Sequence, residues 1–157
     1  MAVPILAVDD SASIREMIVS VLAPRGYHVL TARDGDDALE KLRLLEEPHI
    51  ILLDVVMPGL DGPTVVREID EDDALRSAGH RVILMSSQLR LAARDIPPTA
   101  GQLPKPFTRQ QLVEIVAQFG GYFSPPFVRH CVYDQGSPGS SPRSSSLSAS
   151  SPSLSIS

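Results

Sequence analysis

The sequence predicts an α/β domain: a doubly wound, five-stranded parallel sheet with helices on both faces, followed by a disordered C-terminal tail. Three observations point there. Short apolar runs of strand length alternate with stretches whose apolar residues recur at helical spacing. The best-defined runs are continuously apolar rather than alternating, as strands covered on both faces are. After Gly120 the composition shifts, and residues 137–157 contain 12 serines and three prolines, too few apolar side chains to offset the entropy of ordering. Strand–helix alternation yields a parallel sheet because each crossover helix must cover the sheet it leaves.

The elements follow in order. A first strand over about Ile5–Val8 leads to a helix carrying Ile14, Met17, Ile18, Val21 and Leu22 on one face. Ser13 and Glu16 fit an S-x-x-E capping box at its start, and Pro24 and Gly26 end it. A second strand, about His28–Ala32, turns at Asp34-Gly35 into a helix that buries Ala38, Leu39, Leu42 and Leu45. The third strand is Ile50–Leu53, closed by Asp54 and followed by the turn-rich Met57-Pro58-Gly59-Leu60-Asp61-Gly62. Val65, Val66 and Ile69 mark the next helix, and the acidic run Glu68–Asp73 reads as its solvated end. A fourth strand lies near Val82–Met85 and a fifth near Gln102–Leu103. Thr108 and Gln111 form a second capping box before a helix burying Leu112, Ile115, Val116 and Phe119.

Charge and cysteine content exclude several functions. The net charge is −5, and residues 1–121 hold 12 Lys+Arg against 18 Asp+Glu, so the folded part lacks the basic balance of a nucleic-acid binder. Cys131 is the only cysteine, which rules out an intramolecular disulfide and a cysteine zinc cluster. No basic leader precedes a long apolar segment, and no run approaches the roughly 20 residues that span a bilayer. The expectation is a cytoplasmic protein without membrane insertion. The four histidines (His28, His49, His80 and His130) show no metal-ligand spacing and read as surface or strand-edge residues.

The chemistry lies at the strand ends. Asp9 and Asp10 follow the first strand, Asp54 the third, Ser86-Ser87 the fourth, and Lys105 the fifth. In such sheets ligands bind beyond the carboxyl ends of the strands, so all of these side chains converge on one edge. Two carboxylates about 4 Å apart repel by roughly 4 kcal/mol at an effective dielectric near 20. A divalent cation relieves that repulsion, and Mg²⁺ accepts one or two carboxylates together with phosphate oxygens. An aspartate is already ionised at neutral pH and needs no general base to act as a nucleophile. Lysine supplies a point charge suited to a phosphate oxygen. Three acids and one base placed this way predict a site for a divalent cation and a phosphoryl group.

Taken together, Val8-Asp9-Asp10, Asp34-Gly35-Asp36-Asp37-Ala38-Leu39, Leu52-Leu53-Asp54, Met57-Pro58-Gly59-Leu60-Asp61-Gly62, Ser86 and Lys105-Pro106-Phe107 give residues 2–120 a resemblance to the receiver domain of two-component response regulators. The resemblance implies a flavodoxin-like strand order of 2-1-3-4-5. It also implies that Asp54 is both the phosphoacceptor and a member of the metal site, and that Asp10 ligates Mg²⁺ directly. Asp9 would act on the ion through water, with the backbone carbonyl of Val56 as a further ligand. Lys105 would pair with the phosphoryl group, and the Ser86 hydroxyl would hydrogen-bond to it. The phosphodonor would be a sensor histidine kinase or histidine phosphotransfer protein, and the output would pass to an unknown downstream protein target.

Two features depart from the family pattern. Gln102 stands where receivers commonly carry the aromatic residue of the last strand. The interval from Ser86 to Lys105 is short and contains Pro97-Pro98, which cannot continue a helix, so the intervening helix should be stunted to about Leu89–Asp95. Residues 121–136 hold four of the chain's seven aromatics and read as a surface strap or linker, ahead of the disordered tail at 137–157. The expected function is a stand-alone, phosphorylatable switch that is not an enzyme beyond self-catalysed phosphorylation and dephosphorylation. The alternative is a phosphorylation-independent pseudo-receiver interaction module. A metal-dependent phosphohydrolase is disfavoured, because Val56 sits where a second aspartate would follow the acceptor and no cap domain is encoded.

Overall fold

Continuously apolar strands belong in the middle of a sheet, and the two most apolar runs lie side by side there. In this computed structural model, which describes residues 4–87, 97 and 99–120, the strands are β1 (Pro4–Val8), β2 (His28–Ala32), β3 (Ile50–Asp54), β4 (Arg81–Ser86) and β5 (Gly101–Pro104). They form one sheet in the order β2-β1-β3-β4-β5, with every neighbouring pair parallel. The helices are α1 (Ala12–Leu22), α2 (Gly35–Leu44), α3 (Gly62–Glu71), α4 (Asp73–Ala78) and α5 (Arg109–Gly120), with a 3₁₀ turn at Ala23–Arg25. The chain divides after Pro125, and the first unit contains all of the described residues.

Strand side chains alternate between two cores. Leu6, Val8, Ile51, Leu53, Val82 and Leu84 face α2, α3 and α4, against Ala38, Leu42, Val65 and Leu75. Ile5, Ala7, Ile50, Leu52, Ile83, Met85 and Leu103 face α1 and α5, against Ile18, Leu22, Leu112 and Val116. Both cores are apolar, which is why these strands show no polar alternation.

Helix ends show where local sequence decided the fold and where it did not. The Thr108–Gln111 box forms as predicted: the Gln111 N–H donates to Thr108 Oγ1 at 3.1 Å, and the Thr108 N–H donates to Gln111 Oε1 at 2.8 Å. The Ser13–Glu16 box does not form. Helix α1 starts earlier, at Ala12, with Ser11 in the cap position making no side-chain bond. The reason is Asp9, whose carboxylate accepts the Ser11 N–H at 2.9 Å and turns the chain before Ser13 is reached. The acidic run also holds more order than expected. Asp72 ends α3 and then caps α4, accepting the Ala74 and Leu75 N–H groups at 3.0 and 3.2 Å, so that Leu75 is buried.

The histidines need a similar correction. His49 and His80 lie just before β3 and β4, as strand-edge residues should, but His49 is buried. Its N–H donates to His80 Nδ1 at 3.1 Å, and the two rings meet edge to face. The predicted helix at Leu89–Asp95, the aromatic strap at 121–136 and the Ser-rich tail at 137–157 lie outside the described residues. Among the described residues, no helix is long and apolar enough to cross a membrane.

Candidate functional site

Four elements deliver the site. β1 ends at Val8 and hands on Asp9 and Asp10; β3 ends in Asp54; β4 ends in Ser86; Lys105 directly follows β5. Parallel register brings these ends level, with Val8 opposite Leu53, Asp54 opposite Met85, and Ser86 opposite Pro104. The link from β5 to β4 is direct, because the Lys105 N–H donates to the Ser86 carbonyl at 2.7 Å. The Lys105–Pro106 peptide that follows is cis.

The carboxyl oxygens of Asp9, Asp10 and Asp54 lie within 4.8 Å of one another. Asp9 and Asp54 are 1% and 6% exposed, whereas Asp10 opens to solvent. Lys105 reaches from across the sheet to both buried acids: its Nζ is 2.7 Å from Asp9 Oδ2 and 3.2 Å from Asp54 Oδ1. Burial of Asp54, followed by the charge of Asp9, raises its carboxyl above the usual range, against the pull of Lys105 and the Val56 N–H. Burial tends to lower Lys105, but the hydrogen bond and charge of Asp9, with Asp54 behind them, outweigh it and leave the ammonium raised. The site therefore holds a firmly charged lysine beside a carboxylate whose charge is incompletely compensated.

The donor set suits a hard cation. Three carboxylates and one ammonium leave a formal surplus of two negative charges, which one divalent ion neutralises. All-oxygen donors with an exposed member favour Mg²⁺, which keeps several of its waters. Asp9 is the most heavily used of the three acids, with Oδ1 taken by the Ser11 N–H and Oδ2 by Lys105.

Of the six positions singled out from the sequence, Asp9, Asp10, Asp54 and Lys105 meet in one cluster. Ser86 stands beside it, linked through the Lys105 backbone, and Val56 is a solvent-exposed residue whose N–H bonds the Asp54 carboxylate. Two contacts of the site could not be read from sequence spacing. Arg15, one turn into α1, donates from Nη1 to the Asp9 carbonyl at 2.6 Å. Gly62 approaches the Asp54 backbone so closely that an added Cβ would lie 2.6 Å from the Asp54 carbonyl oxygen.

Residues 5–117 match the family described as the response regulator receiver domain. The chain belongs to that family. The receiver is 36% identical over 118 residues to response regulator MprA of Mycobacterium ulcerans, an alignment covering 72% of this chain and 48% of that protein. The chain spans about half or less of the length of the curated relatives it matches. Among solved structures, the receiver resembles the chemotaxis protein CheY4 of Vibrio cholerae, with a TM-score of 0.67 and 28% identity over 75% of this chain and 98% of that one. It equally resembles the receiver domain of sensor histidine kinase PA1611 from Pseudomonas aeruginosa, with a TM-score of 0.67 and 27% identity over 77% of this chain and 99% of that one. That structure has a magnesium ion coordinated in its active-site cleft. The predicted sheet order and receiver fold are thus both found.

Proposed function

We propose that this receiver is a phosphorylatable switch in which Asp54 takes a phosphoryl group from a histidine kinase or histidine phosphotransfer protein. The observation that carries the reading is the placement of Lys105 between two buried aspartates, 2.7 Å from Asp9 and 3.2 Å from Asp54. A lysine held on that bridge already stands where a new phosphate oxygen on Asp54 would need a cation. The ionised Asp54 oxygen attacks phosphorus, the bond from phosphorus to the donor nitrogen breaks, and that nitrogen leaves with its electron pair.

The residues divide the work by their surroundings. Asp54 supplies the nucleophile, and its raised pKa reflects a carboxylate that burial and the Asp9 charge leave incompletely compensated. Lys105 pairs with the transferred group, and the Ser86 hydroxyl hydrogen-bonds to it. Asp10, exposed and uncommitted, would ligate Mg²⁺ directly, Asp9, already engaged by Ser11 and Lys105, would act through water, and the Val56 carbonyl would complete the protein's share. When bound, the ion neutralises charge on the transferring group. Self-catalysed dephosphorylation sets the lifetime of the signal.

The signal leaves through protein contacts, as phosphorylation shifts the population of the loop beyond β3. Gln102 is exposed on β5, so burial of an aromatic ring at that position does not serve as the readout here. The setting is the cytoplasm, in keeping with a single cysteine.

Incubation with Mg²⁺ and a small acyl phosphate, read by intact mass, tests the proposal. Wild type should gain one phosphoryl group, and Asp54→Asn should gain none. An unmodified wild type, under conditions that modify another receiver, would favour the pseudo-receiver module instead.

A further inference from the structure

Asp10 is the exposed member of the acidic cluster, and among the described residues nothing holds its carboxylate. Its own torsions are free to turn, so the backbone decides only the place from which the side chain starts. The peptide linking Asp9 to Asp10 is a rigid plane, so the position of the Asp9 carbonyl fixes where Asp10 begins. That carbonyl is held by Arg15, whose Nη1 donates to it at 2.6 Å.

The rest of Asp9 is tied down by other groups. Its N–H donates to the Ala32 carbonyl on β2 at 3.2 Å, and its two carboxyl oxygens accept from the Ser11 N–H and from Lys105. Arg15 is itself anchored in the first turn of α1, where its N–H donates to the Ser11 carbonyl at 3.2 Å. The result is a closed loop running from the Asp9 carbonyl through Arg15 and Ser11 back to the Asp9 carboxylate. Without Arg15, the Asp9–Asp10 plane could rotate about its two flanking bonds and carry the Asp10 carboxylate with it, while Asp9 stayed on Lys105.

From this geometry we infer that Arg15 is a positioning residue for the metal: it clamps the Asp9 carbonyl so that the Asp10 side chain starts from a fixed place beside Asp54. The inference rests on the proposal that these acids hold Mg²⁺. The choice of ion makes the clamp matter, because Mg²⁺ demands near-ideal octahedral geometry, whereas Ca²⁺ tolerates irregular ligand placement. Groups that orient metal ligands typically cost about 10–100-fold in affinity when removed. A guanidinium that merely tied α1 to β1 would leave both affinities alone or weaken them equally.

The experiment is calorimetric titration of the full, unphosphorylated chain with Mg²⁺ and, separately, with Ca²⁺. Arg15→Ala should weaken Mg²⁺ binding about tenfold and Ca²⁺ binding by no more than about threefold. Arg15→Lys, which can still present one N–H to the carbonyl, should recover Mg²⁺ affinity to within about threefold of wild type. Arg15→Met, which keeps the aliphatic stem, takes the place of Arg15→Ala if that variant does not fold. Unchanged Mg²⁺ affinity, or equal weakening of both ions, overturns the inference while leaving the proposed function standing. A wild type that binds neither ion overturns both.

Discussion

Gly62→Ala joins stability and activity in a single methyl group. Gly62 opens α3 directly beneath the end of β3, and its N–H donates to the Val55 carbonyl at 3.0 Å. A Cβ built there lies 2.6 Å from the Asp54 carbonyl oxygen, 2.9 Å from Val55 Cα and 3.3 Å from the Asp54 carbonyl carbon. All three are backbone atoms, so no side-chain rotation relieves the contact; either α3 or the Asp54 backbone must move. Overpacking of this kind costs about 1–3 kcal/mol, which in a domain of this size lowers the melting temperature by roughly 4–12 °C. Displacement of the acceptor also slows phosphorylation, because a misplacement of about 1 Å can cost on the order of 100-fold; at least a tenfold loss is expected. Gly59→Ala is the control: Gly59 has φ +77° and nothing within 4 Å of an added Cβ, so it should cost only the roughly 1–2 kcal/mol of a left-handed residue and leave the rate alone. Melts by circular dichroism and phosphorylation by intact mass give both numbers. A Gly62→Ala protein that phosphorylates as fast as the Gly59→Ala protein would refute the reasoning.

Three further outcomes follow from the same structure. In Mg²⁺-free buffer at neutral pH, Asp54→Asn should melt above wild type, by about 1 kcal/mol in stability, because burial and the Asp9 charge disfavour its ionised form; saturating Mg²⁺ should narrow or reverse that difference. His80 is pushed down to about 4 by burial and by His49. It stays neutral in the fold while the unfolded chain takes up a proton, so stability should fall as pH drops from about 6.5 toward 4. Because His80 is only partly buried, the loss is about 2 kcal/mol. His80→Asn, which keeps an acceptor for the His49 N–H, should flatten the fall in urea midpoint between pH 7 and pH 5. Thr108→Ala removes the hydroxyl that accepts the Gln111 N–H and should cost about 1 kcal/mol by urea denaturation, without changing phosphorylation of Asp54.

The sequence by itself determined the strands, the fold class and the acids, because those depend on local signals. Apolar runs such as Ile50–Leu53 have no stable place except inside a sheet, and a carboxylate ending such a run must sit at the sheet's edge. The Thr108–Gln111 cap was legible for the same reason, since its partners lie three residues apart. Strand order came from the family resemblance rather than from the runs, which look alike wherever they sit in the sheet. Only the tertiary structure decided the rest. Ser13 lost its cap because the helix starts earlier, at Ala12, behind a Ser11 whose N–H Asp9 holds, and helix α4 formed because Asp72 could cap it while Leu75 found a core to enter. The Lys105 bridge spans 96 residues to Asp9, the Arg15 clamp needs α1 folded back against β1, and Gly62 matters only because Asp54 lies against it. Sequence spacing carries no information about which groups the sheet brings within 3 Å, and those contacts are what distinguish three acids and a lysine from a site.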